Sequence, residues 1–140
     1  MATDRPSESG TSLGGHAAPL DAAIGLTRHS DDGDWVVLRL DPEPVAVGAT
    51  EPVTYLHGGV VATCVDTASW EAVVQLNEES WVVADMRIDF MRLARNEPHR
   101  VRATARKVGR RQALADVEIT PWDEPSRMVA LGRVLLAKVS

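Results

Sequence analysis

Residues 58–76 decide what this chain can become, because the apolar side chains of Val60, Val61, Cys64, Val65, Ala68, Ala72 and Leu76 recur at three- and four-residue steps. That period belongs to a helix with one buried side. Its β-branched residues lower its intrinsic helix preference, so packing has to hold it in place. A helix of roughly five turns with so apolar a side needs other elements wrapped around it.

The rest of the chain can supply that wrapping. Residues 81–94 alternate Ala84, Met86, Ile88 and Phe90 against Val83, Asp85, Arg87 and Asp89, the two-residue period of a strand. Residues 101–108 and 112–120 flank a Gly-Arg-Arg turn at Gly109 and read as a hairpin, and residues 128–139 read as a further strand. Ahead of the helix, residues 24–29 and 34–40 read as two short strands joined at the turn-rich SDDGD, with a loop over residues 41–55. Two strands, one long helix and then four strands predict an α+β fold: an antiparallel sheet of about five to six strands curled around one central helix. With 140 residues the chain has room for one core. Residues 1–18 are rich in Ser, Gly, Thr and Pro and read as a disordered tail, leaving a single domain over residues 19–140.

Charge and cysteine content narrow the function classes. A net charge of -5 argues against a nucleic-acid-binding domain. Nine of the fifteen Lys and Arg residues nevertheless fall between Arg87 and Arg111, a density that suits either phosphate binding or a solvated strand face. No apolar run is long enough to cross a bilayer and no secretory signal opens the chain, so a cytoplasmic protein without a membrane partner is expected. Cys64 is the only cysteine, which excludes an intrachain disulfide and agrees with a reducing compartment. His16, His29, His57 and His99 lack metal-ligand spacing, so no structural metal is expected.

The helix opens in LHGGVVATCVDTASW, residues 56–70, where a glycine turn precedes an apolar run that carries one carboxylate. Gly58 and Gly59 stand at the helix start, where backbone N–H groups lack intrahelical acceptors and the helix dipole is positive. Such a turn can hold an oxyanion; a plain loop-to-helix joint is the other reading. Asp66 falls at the border of the apolar arc, where partial burial would raise its pKa and favour a general base or nucleophile. A solvated helix carboxylate is the alternative. Ser69 has no His partner that the sequence can place, Cys64 falls on the buried arc, and Trp70, Trp81, Met86 and Met91 read more readily as packing than as ligand contacts.

The run HGGVVATCVDTAS resembles the motif of hotdog-fold acyl-CoA thioesterases of the phenylacetate-pathway (PaaI-like) type, with an acidic residue nine positions after the His. VVADMRIDFMRLAR, KVGRRQALADVEI and MVALGRVLLA are similar to strands of that family, so the resemblance spans residues 20–139. It implies hydrolysis of an acyl-CoA to free acid and CoA, with CoA part of the substrate and no separate cofactor. Asp66 would be the nucleophile or general base, Gly58 together with Gly59 the oxyanion donors, and His57 a residue that fixes the turn. Arg110 and Arg111 would meet the CoA phosphates. The family pattern is altered at three positions that would line the substrate: Glu51 replaces an amide six residues before the His, Val83 a hydroxyl, and Trp70 a small polar residue. A hotdog module that binds an acyl group without hydrolysing it is the competing expectation, and a hydratase a more distant one. The resemblance also implies a homodimer, with each site across the interface, and a dimer of dimers; pairing of open sheet edges gives a physical reason for the first.

Overall fold

A computed structural model describes residues 18–49 and 51–139, so the expected tail lies almost wholly outside the described residues. The chain runs α1 (Pro19–Ile24), β1 (Leu26–Asp32), β2 (Trp35–Leu40), a 3-10 turn (Pro44–Ala46), β3 (Val47–Ala49), β4 (Tyr55–Leu56), α2 (Gly58–Val74), β5 (Trp81–Phe90), β6 (His99–Val108), β7 (Gln112–Pro121) and β8 (Ala130–Lys138). Six strands form one antiparallel sheet in the order β1-β2-β6-β7-β8-β5, while β3 and β4 pair separately. The α+β expectation of one sheet against one long helix is what the chain adopts. Helix α2 carries the chain from the β2 side to the far edge, where β5 pairs only with β8.

The apolar arc of α2 finds its cover in that sheet. Val61, Cys64, Val65, Ala68 and Ala72 are buried with Leu38, Val101, Ala103, Val117, Val134 and Leu136 in one continuous core. Close approach is possible because β8 offers Gly132 to the helix: a Cβ there would stand 2.7 Å from Val65 Cγ1. Leu76, read as the last residue of the arc, falls beyond the end of α2 and is exposed.

Three local expectations need correction. Residues 24–29 are not one strand; Ile24 ends helix α1, and β1 begins only at Leu26. Pro19 at the first helical position starts α1, and Gly25, at φ 93°, stops it with its N–H bonded to the carbonyls of Asp21 and Ala22. A Cβ on Gly25 would fall 1.9 Å from the Asp41 carbonyl oxygen, so only glycine fits this turn. The 41–55 loop is partly ordered, holding the 3-10 turn and the β3–β4 ladder. Finally, β5 ends at Phe90 and carries a bulge: Val83 pairs with Leu136 and Asp85 with Leu135, leaving Ala84 unpaired. The extra residue switches the strand's facing, so Trp81 and Val83 meet the core before it and Met86 and Ile88 after it.

Candidate active site

The glycine turn is held from both sides. The His57 N–H donates to the Ala46 carbonyl at 2.9 Å, and the Leu56 N–H donates to the Ala94 carbonyl at 2.8 Å. His57 is the N-cap of α2 in an extended conformation, and its Nδ1 accepts the Gly59 N–H at 3.0 Å. An accepting Nδ1 places the proton of the neutral ring on Nε2. The cap also divides the two glycines: the Gly59 N–H is taken by His57, while the exposed Gly58 N–H has no acceptor among the described residues. Gly58 therefore presents an open N–H donor at this positive helix end.

Asp66 lies on the exposed side of α2, ringed closely enough by protein that desolvation raises its carboxyl pKa above the ordinary range. Eight residues separate it from Gly58, a rise of roughly 12 Å along the helix. One carbonyl group cannot touch both from a single chain.

Beside Asp66 stands a group of charges that the sequence did not reveal. The Thr67 hydroxyl donates to Asp21 Oδ1 at 2.7 Å, tying α1 to α2. Asp21 is 4% exposed; burial first, and then the charge of Asp66, raise its pKa, while the Thr67 bond works the other way. One turn on, Glu71 is equally buried and takes a hydrogen bond from Arg28 Nη1 on Oε1 at 2.6 Å. Its Oε2 has no hydrogen-bond partner among the described residues. Desolvation raises the Glu71 pKa against the opposing pull of Arg28. Arg28 also meets Asp31 and Gln75. The sequence signals were the Pro19 and Gly25 punctuation around Asp21 and an acid, Glu71, on a helix that is covered nearly all round.

The remaining candidates are spread along the molecule. Glu51 is exposed in the loop before β4, and Arg110 and Arg111 are exposed at the β6–β7 turn. Trp70 is half-buried, with its indole N–H donating to the Trp81 carbonyl at 3.1 Å, and Val83 packs against the core. Ser69 is fully buried with its hydroxyl on the Asp66 carbonyl at 2.8 Å, so it is not presented to a substrate. Cys64 is likewise buried, and burial pushes its thiol pKa far upward, which makes it inert. Much of the basic density is neutralised on the sheet: Arg102 pairs with Glu118, and Arg106 with Asp116, at 2.9 and 2.7 Å. Among the described residues no group of three or more His, Cys, Asp or Glu side chains could hold a metal, and no helix is long and apolar enough to cross a membrane.

A six-stranded antiparallel sheet packed on one long helix, with a capped glycine turn at the helix start, defines a hotdog-type thioesterase fold. A family profile described as Thioesterase superfamily matches residues 54–129, more than half of the 140 residues, and the chain belongs to that superfamily. Membership supports acyl-thioester hydrolysis in general. Among solved structures, the chain is similar to zebrafish thioesterase superfamily member 2, with 24% identity, a TM-score of 0.76 and 92% of each chain covered. It is also similar to the Escherichia coli PaaI protein from the phenylacetic acid degradation operon, with 21% identity, a TM-score of 0.74, and 88% of this chain and 86% of that one covered. A Haemophilus influenzae thioesterase matches with 18% identity, a TM-score of 0.74, and coverage of 99% and 93%. At these identities the three likenesses show the fold. No curated protein sequence matches the chain.

Proposed function

We propose that this chain is a PaaI-like acyl-CoA thioesterase whose site combines Asp66 of one chain with the Gly58 N–H of another. The observation that carries the reading is a partly desolvated carboxylate on the helix that presents an unpartnered N–H at its start. Asp66 either attacks the thioester carbonyl carbon directly or takes a proton from the water that attacks it. The carbonyl oxygen gains negative charge opposite the Gly58 N–H and the dipole of α2. Collapse breaks the C–S bond: on the water route the departing CoA sulfur takes the proton held by Asp66 and the free acid leaves, whereas on the direct route CoA leaves as a thiolate protonated by solvent, and water then hydrolyses the acyl-Asp66 anhydride to the free acid and the Asp66 carboxylate. Trapping an acyl-Asp66 anhydride with hydroxylamine marks the direct route.

The roughly 12 Å between Gly58 and Asp66 favours a shared site, and so does the edge strand β5. Val82 and Phe90 on it, and Met91 and Leu93 just after it, are exposed large apolar side chains. An unpaired edge of this kind invites pairing with a second copy. A homodimer, and a dimer of dimers built from it, fit this reading.

The test compares hydrolysis of aliphatic and aromatic acyl-CoAs by the native chain and by Asp66→Ala. Loss of about a hundredfold or more in kcat is expected; equal rates refute the reading, and tight CoA-ester binding without turnover replaces it with a binding module. Gly58→Pro removes the N–H at a first helical position that tolerates proline, and mixing it with Asp66→Ala, each expected to be inactive alone, should restore activity, since each mixed dimer holds one site with neither change. No recovery in mixtures that exchange subunits would sink the shared site.

A further inference from the structure

Asp21 is a buried carboxyl group beside the candidate base, and nothing in the reaction above uses it. Its burial follows from the turn geometry of α1, which leaves Leu20 exposed and turns Asp21 and Ile24 inward. Among the described residues one side chain hydrogen-bonds to it, Thr67, the residue next to Asp66. The cation in the neighbourhood, Arg28, is committed to Glu71 and Asp31. The groups facing Asp21 are Thr67, Asp66, the Cys64 thiol and Glu71, with Arg28 beyond Glu71. Among the described residues, none of the groups in direct charge contact with Asp21 is positive.

We propose that Asp21 is the second titrating carboxyl group of the Asp66 site: held beside it through Thr67, it keeps the one proton the pair retains, and its ionisation ends the activity that ionisation of Asp66 began. The inference rests on the thioesterase reading. Two carboxylates close together in a poorly solvated site do not ionise together readily. Asp66 is the exposed member and Asp21 the buried one, so Asp66 gives up its proton first. The charge of Asp66 then adds to burial in holding the proton on Asp21, while the Thr67 bond limits the effect. When Asp21 finally ionises, it sets a second negative charge beside the site where the tetrahedral oxyanion forms. Activity should rise as Asp66 ionises and fall as Asp21 does.

The experiment follows the Asp66 side-chain carboxyl by carbon-13 NMR and kcat/KM by rate, both across pH, in the native protein, Asp21→Asn and Thr67→Val. The native Asp66 signal should show two inflections and the rate profile two limbs. Asp21→Asn, nearly isosteric and still able to accept from Thr67, should lose the upper inflection and the alkaline limb while keeping the lower ones. Thr67→Val should move the upper inflection to higher pH, and it carries the test if Asp21→Asn does not fold. A single inflection in the native protein, or identical Asp66 titrations in native and Asp21→Asn, overturns the proposal. If Asp66→Asn still hydrolyses thioesters, the functional reading fails instead, and the NMR titration alone then decides whether the two carboxyls are coupled.

Discussion

Replacing Arg28 with Leu tests how the helix tolerates Glu71. The Arg28–Glu71 pair joins β1 to α2 at 2.6 Å, with Glu71 4% and Arg28 22% exposed. Removing one partner of a buried pair costs about 3–5 kcal/mol when the charge left behind stays ionised. The other contacts of Arg28 add little, because Asp31 is 62% exposed and its pair is screened by solvent. A loss of about 3 kcal/mol is therefore expected at pH 8, at the lower end of that range.

The pH dependence identifies the cause. The Glu71 pKa in the fold is raised above its unfolded value of about 4.3, chiefly by desolvation. Between those two values the native state holds a proton that the unfolded state has released, so stability falls as pH rises through the window. Arg28 works to lower that folded pKa, so removing it pushes the value higher and extends the window upward. The variant should lose stability relative to the native protein by up to about 1.4 kcal/mol per pH unit where the native Glu71 is already ionised. Below that range Glu71 takes up a proton in both proteins, and the difference should shrink to about 1 kcal/mol, one lost neutral hydrogen bond. Asp21 and Asp66 also have raised pKa values, but they are present in both proteins and their titration cancels to first order. Urea denaturation across a pH series, from the acid side of the Glu71 titration up to pH 8, follows the difference between those limits. Arg28→Leu combined with Glu71→Leu should recover most of the loss, since a packed apolar pair no longer buries a charge. An equal loss at every pH of the series, or a double variant as weak as the two singles summed, would refute the account.

Two further predictions concern glycines that permit close approach. Gly25→Ala must accept φ 93° and a Cβ driven into the Asp41 carbonyl, so a loss of about 3 kcal/mol is expected by the same denaturation assay. Gly132→Ala presses a methyl onto the fully buried Val65 and should cost about 1–3 kcal/mol, seen as a lower Tm. Val65→Ala in the same chain should relieve part of that, so a double-mutant cycle with no coupling would count against the contact.

Helix α2 and the hairpin of β6 and β7 were legible because a sustained period and a turn marked them. Helix α1 was not, since six residues make less than two turns and Ile-Gly-Leu-Thr reads as easily as a strand. Pro19 and Gly25, a helix start and stop around it, argue against that reading. The bulge at Ala84 escaped for a different reason: an inserted residue changes which neighbours a side chain meets without breaking the alternation that sequence displays. Asp21 and Glu71 look like ordinary surface acids along the chain. Their burial appears only when Thr67, 46 residues from Asp21, and Arg28, 43 residues from Glu71, are brought beside them.

The motif at residues 56–70 named the parts of the candidate site but not how they divide the work. By taking the Gly59 N–H, His57 fixes the turn and leaves Gly58 as the open donor. The regularity of α2 then separates that donor from Asp66 by roughly two turns of helix, so the rigidity that aims each group also prevents one chain from using both. A two-fold pairing across β5 resolves the conflict in principle, because it gives each donor an acid from the other chain and removes the exposed edge at the same time. On this reading the apolar residues exposed along β5 belong to the chemistry as much as to assembly: they are what brings the second half of the site.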